Sequence, residues 1–559
     1  MDHHAEHVHP DVVATLERLV KIAAERHPDD LLLADFLPEY YRELPGADVD
    51  DLRIDDVYAV GVAHLALGRR REPGTTVVKV VSPDRDRDGW HSRRSVLLVV
   101  TDDDPFLVDT IRMVLDRYGL AIHLLVHPML DVHRDDDGTI VAIGEDAVPG
   151  GTRLVEAWTQ VEIDRCDPIA DAIEHDVRRV TDDVHRVVAD FPAMRERMEA
   201  FAHLDPLLAW FADEHFVFLG AASYDTAPDG SLIVQEGSQL GQLRHTHEID
   251  PPPVAPSNGA AFGISRSTAV STIHRPARMT CVTVFDGTTR HRFLGLLASS
   301  AYRQSVLSIP TIGQRARAVL GLTSVGAETH TGRSMRNVLE TLPRDLLFET
   351  DTEQLAELVT DIVGLQERRI VRVFEVPEPA GAWSTVLVYL PRHRFSAEVP
   401  ALVAGAVASA YGCEYRDLES LVTASSLARI TFTVRRGAAS PALDELARQI
   451  DELTTSWHDR LDTVLTNQVG LLSDHPLLER IVASVPPDYR ATVRPKQAVG
   501  DLEHIRDVLS GNDTLTTAMV HDVEAPPDEW RFRVYRRNAP AALSEMLPLL
   551  DPLGLQALD

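Results

Sequence analysis

The sequence predicts a multidomain α+β protein, built from repeated split βαβ units joined by helical connectors. Three observations carry that reading. The chain has 559 residues, 44% of them hydrophobic and 25% charged, and at usual domain sizes that length holds about three to five separate cores. Short β-branched runs alternate with longer segments of helical periodicity. The same strand-and-helix order then returns further along the chain.

Residues 10–27 (PDVVATLERLVKIAAERH) carry apolar side chains at helical spacing and predict an amphipathic helix. Residues 75–82 and SVLLVVT (95–101) are β-branched runs and predict buried strands. DPFLVDTIRMVLDRYG (104–119) predicts a helix with Asp104 near its cap, Pro105 in the first turn and Gly119 as its stop. LAIHLLVHPML (120–130) reads as one strand, Asp135–Gly138 as a hairpin signal, and 152–165 as a further strand. A long helix is expected over 170–191. The order β-α-β-β-α defines a split βαβ unit.

A helical stretch (193–213) leads into HFVFLGAASYD (215–225), a Pro- and Gly-rich interval containing Pro251, Pro252 and Pro253, and strands at 279–286 and 291–299. Helices follow from about 314 to 366. The pattern then recurs as strands 369–376 and 384–391, a helix over 397–412 and a strand over 428–436. A third copy begins with 514–523 and 529–537 and continues into 541–554. It stops where the next strand is due. Open strand edges invite aggregation, so the chain reads as part of a longer polypeptide.

Composition excludes several classes. There are 55 basic and 86 acidic residues, a net charge of −31, whereas nucleic acids and anionic membranes bind through Lys and Arg. Neither partner is expected. Cys166, Cys281 and Cys413 lie far apart without CxxC spacing, which fits a reducing, cytoplasmic setting rather than a disulfide or zinc framework. The N-terminus lacks the apolar stretch of a signal peptide, and the most apolar run, 401–412, is shorter than the ~20 residues of a membrane span.

Catalytic motifs are missing from the sequence. No GxGxxG follows a strand, no GxxxxGK[ST] occurs, and Gly237 to Gly241 has turn rather than phosphate-loop spacing. GxSxG and HExxH are absent too. No cofactor or metal is expected on this chain. His3, His4, His7 and His9 have chelating spacing but read as a polar terminus, and His245 with His247 reads as a loop. The Asp-rich runs at 84–88 and 135–137 lack the Gly and Glu of a calcium loop.

One loop stands out, the turn TDDDPFLVD (101–109) between the first buried strand and its helix. Exposed backbone N–H groups at a helix start hold carboxylates, and Asp103 and Asp104 can receive an amino group. Asp103, Asp104, Phe106 and Leu107 are therefore the candidate amino-acid ligand residues. The competing role is structural, with Asp104 capping the helix and Phe106 and Leu107 anchored in the core.

The segments 101–130, LLAWFADEHFVFLGAASY (207–224), HRFLGLLASSAY (291–302), LPRDLLFET (342–350), LQERRIVRVFEV (365–376), LVYLPRHRFS (387–396) and LSEMLPLLDPLG (543–554) stand in a fixed order. Together they resemble the N-terminal region of the large bacterial NAD-specific glutamate dehydrogenases. The resemblance implies an N-terminal helical segment (1–70), an ACT-like domain (71–192), a PAS-like mixed domain (193–313) and a helical connector (314–366). It further implies a second ACT-like domain (367–440), a connector (441–511) and an incomplete third (512–559), with the catalytic Rossmann domain absent. A regulatory and oligomerisation role follows, in a homo-oligomer that includes the catalytic region of the same enzyme. NAD would serve the full-length enzyme, and an amino acid would be the effector. An ACT turn has glycine where this chain has Phe106, whose ring stands against close backbone approach.

Glutamate dehydrogenases resemble one another in using lysines at the reacting centre. This chain has only Lys21, Lys79 and Lys496, no two in a common glycine-rich segment, so turnover of glutamate is not expected. The competing function is a free-standing amino-acid sensor acting on a partner protein.

Overall fold

A strand that is apolar on both faces needs cover on both, and the N-terminal half is arranged around such a strand. The computed structural model describes the chain apart from residues 1–9, 43, 45–52, 86–89, 230, 245–260, 288, 323–328, 366–367, 369, 380, 414, 424, 438–440, 469–475, 512–513, 522–529, 539–542, 551 and 553–559. The histidines at 3, 4, 7, 9, 245 and 247, the prolines at 251–253 and part of the 84–88 acidic run lie outside the described residues. Two compact units are present, Met1–Gly364 with Val376–Trp383, and Leu365–Glu375 with Ser384–Asp559.

The first unit opens with α1 (Pro10–Arg26), α2 (Leu31–Tyr40) and α3 (Ile54–Gly68). Asp30 caps α2 by accepting from Leu33 N at 3.3 Å. Next come β1 (Val77–Val81), β2 (Ser95–Asp102), α4 (Leu107–Arg117), β3 (Ile122–Val126), β4 (Met129–Arg134), β5 (Ile140–Ile143), β6 (Thr152–Ile163) and α5 (Ala170–Glu199). The strands form one antiparallel sheet in the order β1-β2-β6-β4-β5, with β3 also on β6. Leu97, Val99 and Val161 pack beneath Ile111 and Leu115 of α4 and Val177 and Val180 of α5. Val100 and Trp158, on the other face, pack under Phe36, Leu37 and Tyr40 of α2. Gly68 is needed there, since a Cβ would stand 2.2 Å from the Trp158 ring.

Covering both faces traps polar groups, and two such clusters find partners within the sheet and its cover. Glu156 takes Arg134 Nε at 2.6 Å and Arg71 Nη2 at 2.7 Å, and Arg71 also reaches Asp102 at 2.6 Å. Two guanidinium groups thus face two carboxylates, the condition under which buried charge is tolerated. His64 lies 2.7 Å from the Tyr40 hydroxyl and 3.2 Å from Val99 O. Burial drives its imidazole down to about 3, so it stays neutral.

Several expectations are corrected here. The run 120–130 is two strands, broken at His127 and Pro128, since proline has no N–H for the ladder. The helix expected over 170–191 runs on through Pro192 to Glu199, absorbing the start of the stretch placed at 193–213. Beyond the proline the helix buries Met194 and Met198 completely, and that burial outweighs the proline.

α6 (Pro206–Trp210) leads into a second antiparallel sheet made of β7 (Phe216–Thr226), β8 (Leu232–Val234), β9 (Leu240–Gly241), β10 (Phe262–Val270), β11 (Arg278–Asp286) and β12 (Thr289–Leu297). Their order is β10-β11-β12-β7-β8, with β9 on β7. Helices α7 (Ser299–Arg303), α8 (Ile312–Leu322), α9 (His330–Thr341), α10 (Arg344–Glu349) and α11 (Thr352–Leu365) follow.

In the second region β13 (Arg372–Pro377), β14 (Trp383–Pro391), α12 (Val399–Tyr411), β15 (Tyr415–Leu421), β16 (Leu427–Arg435) and α13 (Leu443–Thr454) repeat the first arrangement, with sheet order β13-β14-β16-β15. Gly412, at φ 63°, ends α12 in a left-handed cap. Val386, Val388, Ile430 and Phe432 pack under Val403 and Val407 of α12 and Leu446 and Ile450 of α13. Helices α14 (Trp457–Gln468), α15 (Pro476–Ala483), α16 (Pro487–Thr492) and α17 (Pro495–Ser510) share a core of Leu461, Leu465, Val493 and Leu502. The hairpin β17 (Leu515–Val520) and β18 (Arg531–Arg536), followed by α18 (Leu543–Leu550), opens a third copy.

Candidate functional site

The turn singled out by sequence joins β2 to α4, and each of its residues is held differently. Asp102 ends the strand with its carboxylate on Arg71 and on Gly74 N, at 2.6 and 2.9 Å. Asp103 donates its backbone N–H to Val155 O at 3.4 Å and leaves its side chain exposed. Nearby, His127 is 2.7 Å from Thr159 Oγ1. Burial holds the His127 imidazole below its ordinary value, with the Asp103 charge pulling the other way.

Asp104 does not cap the helix. The N-cap of α4 is Phe106, without a side-chain hydrogen bond, and the helix starts at Leu107 rather than at 104. The Asp104 carboxylate instead accepts a hydrogen bond from His185 Nδ1 of α5. His185 Nε2 lies 2.7 Å from Thr101 Oγ1 and 3.2 Å from Thr76 Oγ1, and the two hydroxyls are 3.0 Å apart. Asp104 and His185 each keep 14% of their side-chain surface exposed. An imidazole fixed by a second strand and helix offers Asp104 a better partner than one backbone amide.

Carboxylate, imidazole and hydroxyl follow one another here as in a nucleophilic triad. Thr101 is wholly buried in the sheet, however, so no substrate atom can reach its oxygen. The relay ties the turn to α5 and to Thr76, the residue just before β1; it positions rather than attacks.

Phe106 and Leu107 part company. Leu107 is buried in the core as expected, while Phe106 is only half-buried. Phe106 has φ 70°, a left-handed conformation that glycine adopts freely and that costs a bulky residue about 1–3 kcal/mol. Its ring meets that of His274 at 4.6 Å, and His274 is itself left-handed at φ 69°. His274 N donates to Thr110 Oγ1 of α4 at 3.3 Å. The backbone at Phe106 therefore takes the shape a glycine turn requires, with an aromatic ring where glycine would leave space.

His185, Thr76 and His274 were not among the candidates. Their partners are far away in sequence, 81 residues for His185 and Asp104. The available signal was a histidine flanking the apolar stripe Val177, Val180, Val184, Val187 of a long helix.

The lysines are not brought together. Lys79 pairs with Glu174 at 2.9 Å, and Lys21 and Lys496 are exposed on α1 and α17. Gly237, at φ 75°, sits in a turn, while Gly241 adopts φ 58° with Leu219 O 2.4 Å from where a Cβ would lie. Among the described residues no three His, Cys, Asp or Glu side chains are grouped to hold a metal, and no helix is long and apolar enough to cross a membrane.

Repeated strand–strand–helix units of this kind define a protein with ACT-type domains, and family comparison agrees. Residues 36–177 match the glutamate dehydrogenase ACT1 domain, 372–458 the ACT2 domain and 514–559 the ACT3 domain, with helical motif 1 at 309–368. The chain belongs to the family of large NAD-specific glutamate dehydrogenases. It is similar to proteins named NAD-specific glutamate dehydrogenase from Halomonas elongata (27% identical, covering 93% of this chain and 35% of the relative) and Pseudomonas aeruginosa (28%, 98% and 36%). A third, from Mycobacterium tuberculosis, is 26% identical over 89% of this chain and 32% of its own length. The chain thus spans about a third of the length of these curated relatives.

Proposed function

We propose that this chain is the regulatory and oligomerisation region of an NAD-specific glutamate dehydrogenase and is not catalytic by itself. The parent reaction is L-glutamate with NAD and water to 2-oxoglutarate, ammonia and NADH. The observation that carries the reading is that three ACT-type matches and one helical motif lie in order along a chain about a third as long as its relatives. Supporting it, every strand pair with a described register is antiparallel, unlike the parallel sheet of a dinucleotide-binding domain.

In this reading the catalytic Rossmann domain and its NAD belong to another part of the enzyme, and this chain binds no cofactor. Its partners are that catalytic region and further copies of itself, with no nucleic acid or membrane, in the cytoplasm. The mixed sheet β7–β12 is the PAS-like domain. The turn at Asp103, Asp104, Phe106 and Leu107 is the amino-acid effector site, with Asp103 the carboxylate free to meet an ammonium group.

The test is NADH formation from glutamate and NAD by the purified, folded chain. No turnover is expected; turnover at an enzymatic rate would overturn the assignment.

A further inference from the structure

Where α10 meets β10 and β11, the first unit buries more charge than its packing requires. Arg278 is fully buried and clasps Glu378 through two bonds, Nη1 to Oε1 at 2.5 Å and Nη2 to Oε2 at 3.1 Å. Its Nε donates to Ser267 O at 2.8 Å, and the Trp383 ring lies 4.7 Å from the guanidinium carbon. Glu378 and Trp383 stand at the two ends of the connection between β13 and β14, within the segment Val376–Trp383. Glu378 N donates to Trp383 O at 2.9 Å, and Gly381 N donates to Glu378 O at 2.8 Å. A bidentate ion pair and a cation–π contact therefore hold this turn in place.

Glu349, the last residue of α10, faces the same ion pair. Its Oε1 is shielded from solvent and has no hydrogen-bond partner among the described residues. The charged groups that face it are Glu378 from the turn, Arg266 from β10, Asp345 from its own helix and Arg278 from β11. Asp345 accepts from Thr280 Oγ1 at 3.1 Å and lies 3.9 Å from Arg266 Nη2. Two cations and two anions thus balance while Glu349 is neutral. Ionised, it makes three negative charges against the two guanidinium groups, Arg266 and Arg278, that face it. Burial first, and then the charge of Glu378, push the Glu349 carboxyl well above the ordinary glutamate range.

We propose that Glu349 is a proton-operated latch on the Val376–Trp383 turn: protonated, it leaves Glu378 on Arg278; ionised, it repels Glu378, competes for Arg278 and frees the turn. The proton passes to solvent as the turn loosens, and nothing else is exchanged. A carboxyl whose value is raised by folding contributes stability that is complete in acid and is lost as pH rises through the raised value. The turn is therefore tight at low pH and loosens as pH climbs above the usual glutamate range.

Hydrogen exchange of residues 376–383 in the whole chain, from about pH 5 to about pH 9 and corrected for base-catalysed exchange, reads the latch directly. Protection of the Glu378 and Gly381 amides should fall by up to about tenfold per pH unit, the slope of one proton. Glu349→Gln, which fixes the neutral form, should remain protected with no slope. A flat profile in the unsubstituted chain, or the same slope in Glu349→Gln, would overturn the proposal. Glu349→Met serves if the first variant folds poorly. It too carries no carboxyl to ionise, so the slope should vanish; an unchanged slope is again decisive against the latch.

Discussion

Phe106 concentrates the tension of the candidate turn in one residue. Its left-handed backbone opposes its side chain, while its ring gains a contact with His274. The two terms are of similar size, about 1–3 kcal/mol for the backbone and about 0.5–1.5 kcal/mol for the ring pair, so a single substitution does not separate them. Comparing Phe106→Ala with Phe106→Gly does. Both lose the ring, but only alanine keeps the steric penalty at positive φ. Glycine should be the more stable variant by about 1 kcal/mol in denaturant unfolding, after allowing for its looser unfolded chain. Equal stability, or alanine ahead, would mean that the turn is not left-handed at this position.

At the scale of elements, the third hairpin depends on a single carboxylate. Asp501 of α17 is buried and accepts from the hydroxyls of Tyr489 and Tyr535 and from Arg533, tying β18 to α16 and α17. Asp501→Ala leaves Arg533 without its counter-charge and two hydroxyls without their acceptor, at a cost of about 3 kcal/mol. Amide protection should be lost in 515–520 and 531–536 while the β14–β16 strands keep theirs; uniform loss would deny the hairpin this dependence. The sequence made some elements legible and hid others for physical reasons. The runs of β2 and β14 are apolar because both faces are buried, and they announce themselves. β15 (YRDLESL) has no such run and was missed. Sheet order was hidden as well. A split βαβ unit ends with a fourth strand beside its first, but here β1 and β13, from upstream, take that edge. Of the turn, Asp103, Asp104, Phe106 and Leu107 were visible locally, whereas His185 and His274 depend on distant packing.

The whole molecule is dominated by its acid excess. Exposed pairs exist, such as Arg448 with Glu445 and Glu452 and Arg117 with Asp176, and each exposed pair contributes at most about 1 kcal/mol. With 55 basic residues against 86 acidic ones, pairing every cation still leaves a net charge of −31 to repel itself. Salt screens both the attraction within pairs and the repulsion among the excess, over about 10 Å at 0.1 M. Pairs at contact distance lose less to screening than charges spread over the surface, so the repulsion is weakened more. Thermal unfolding should accordingly shift upward by a few degrees as sodium chloride rises from about 0.01 to about 0.15 M. A downward shift would mean that the arginine-centred pairs, rather than the unpaired acid, set the electrostatic balance of the fold.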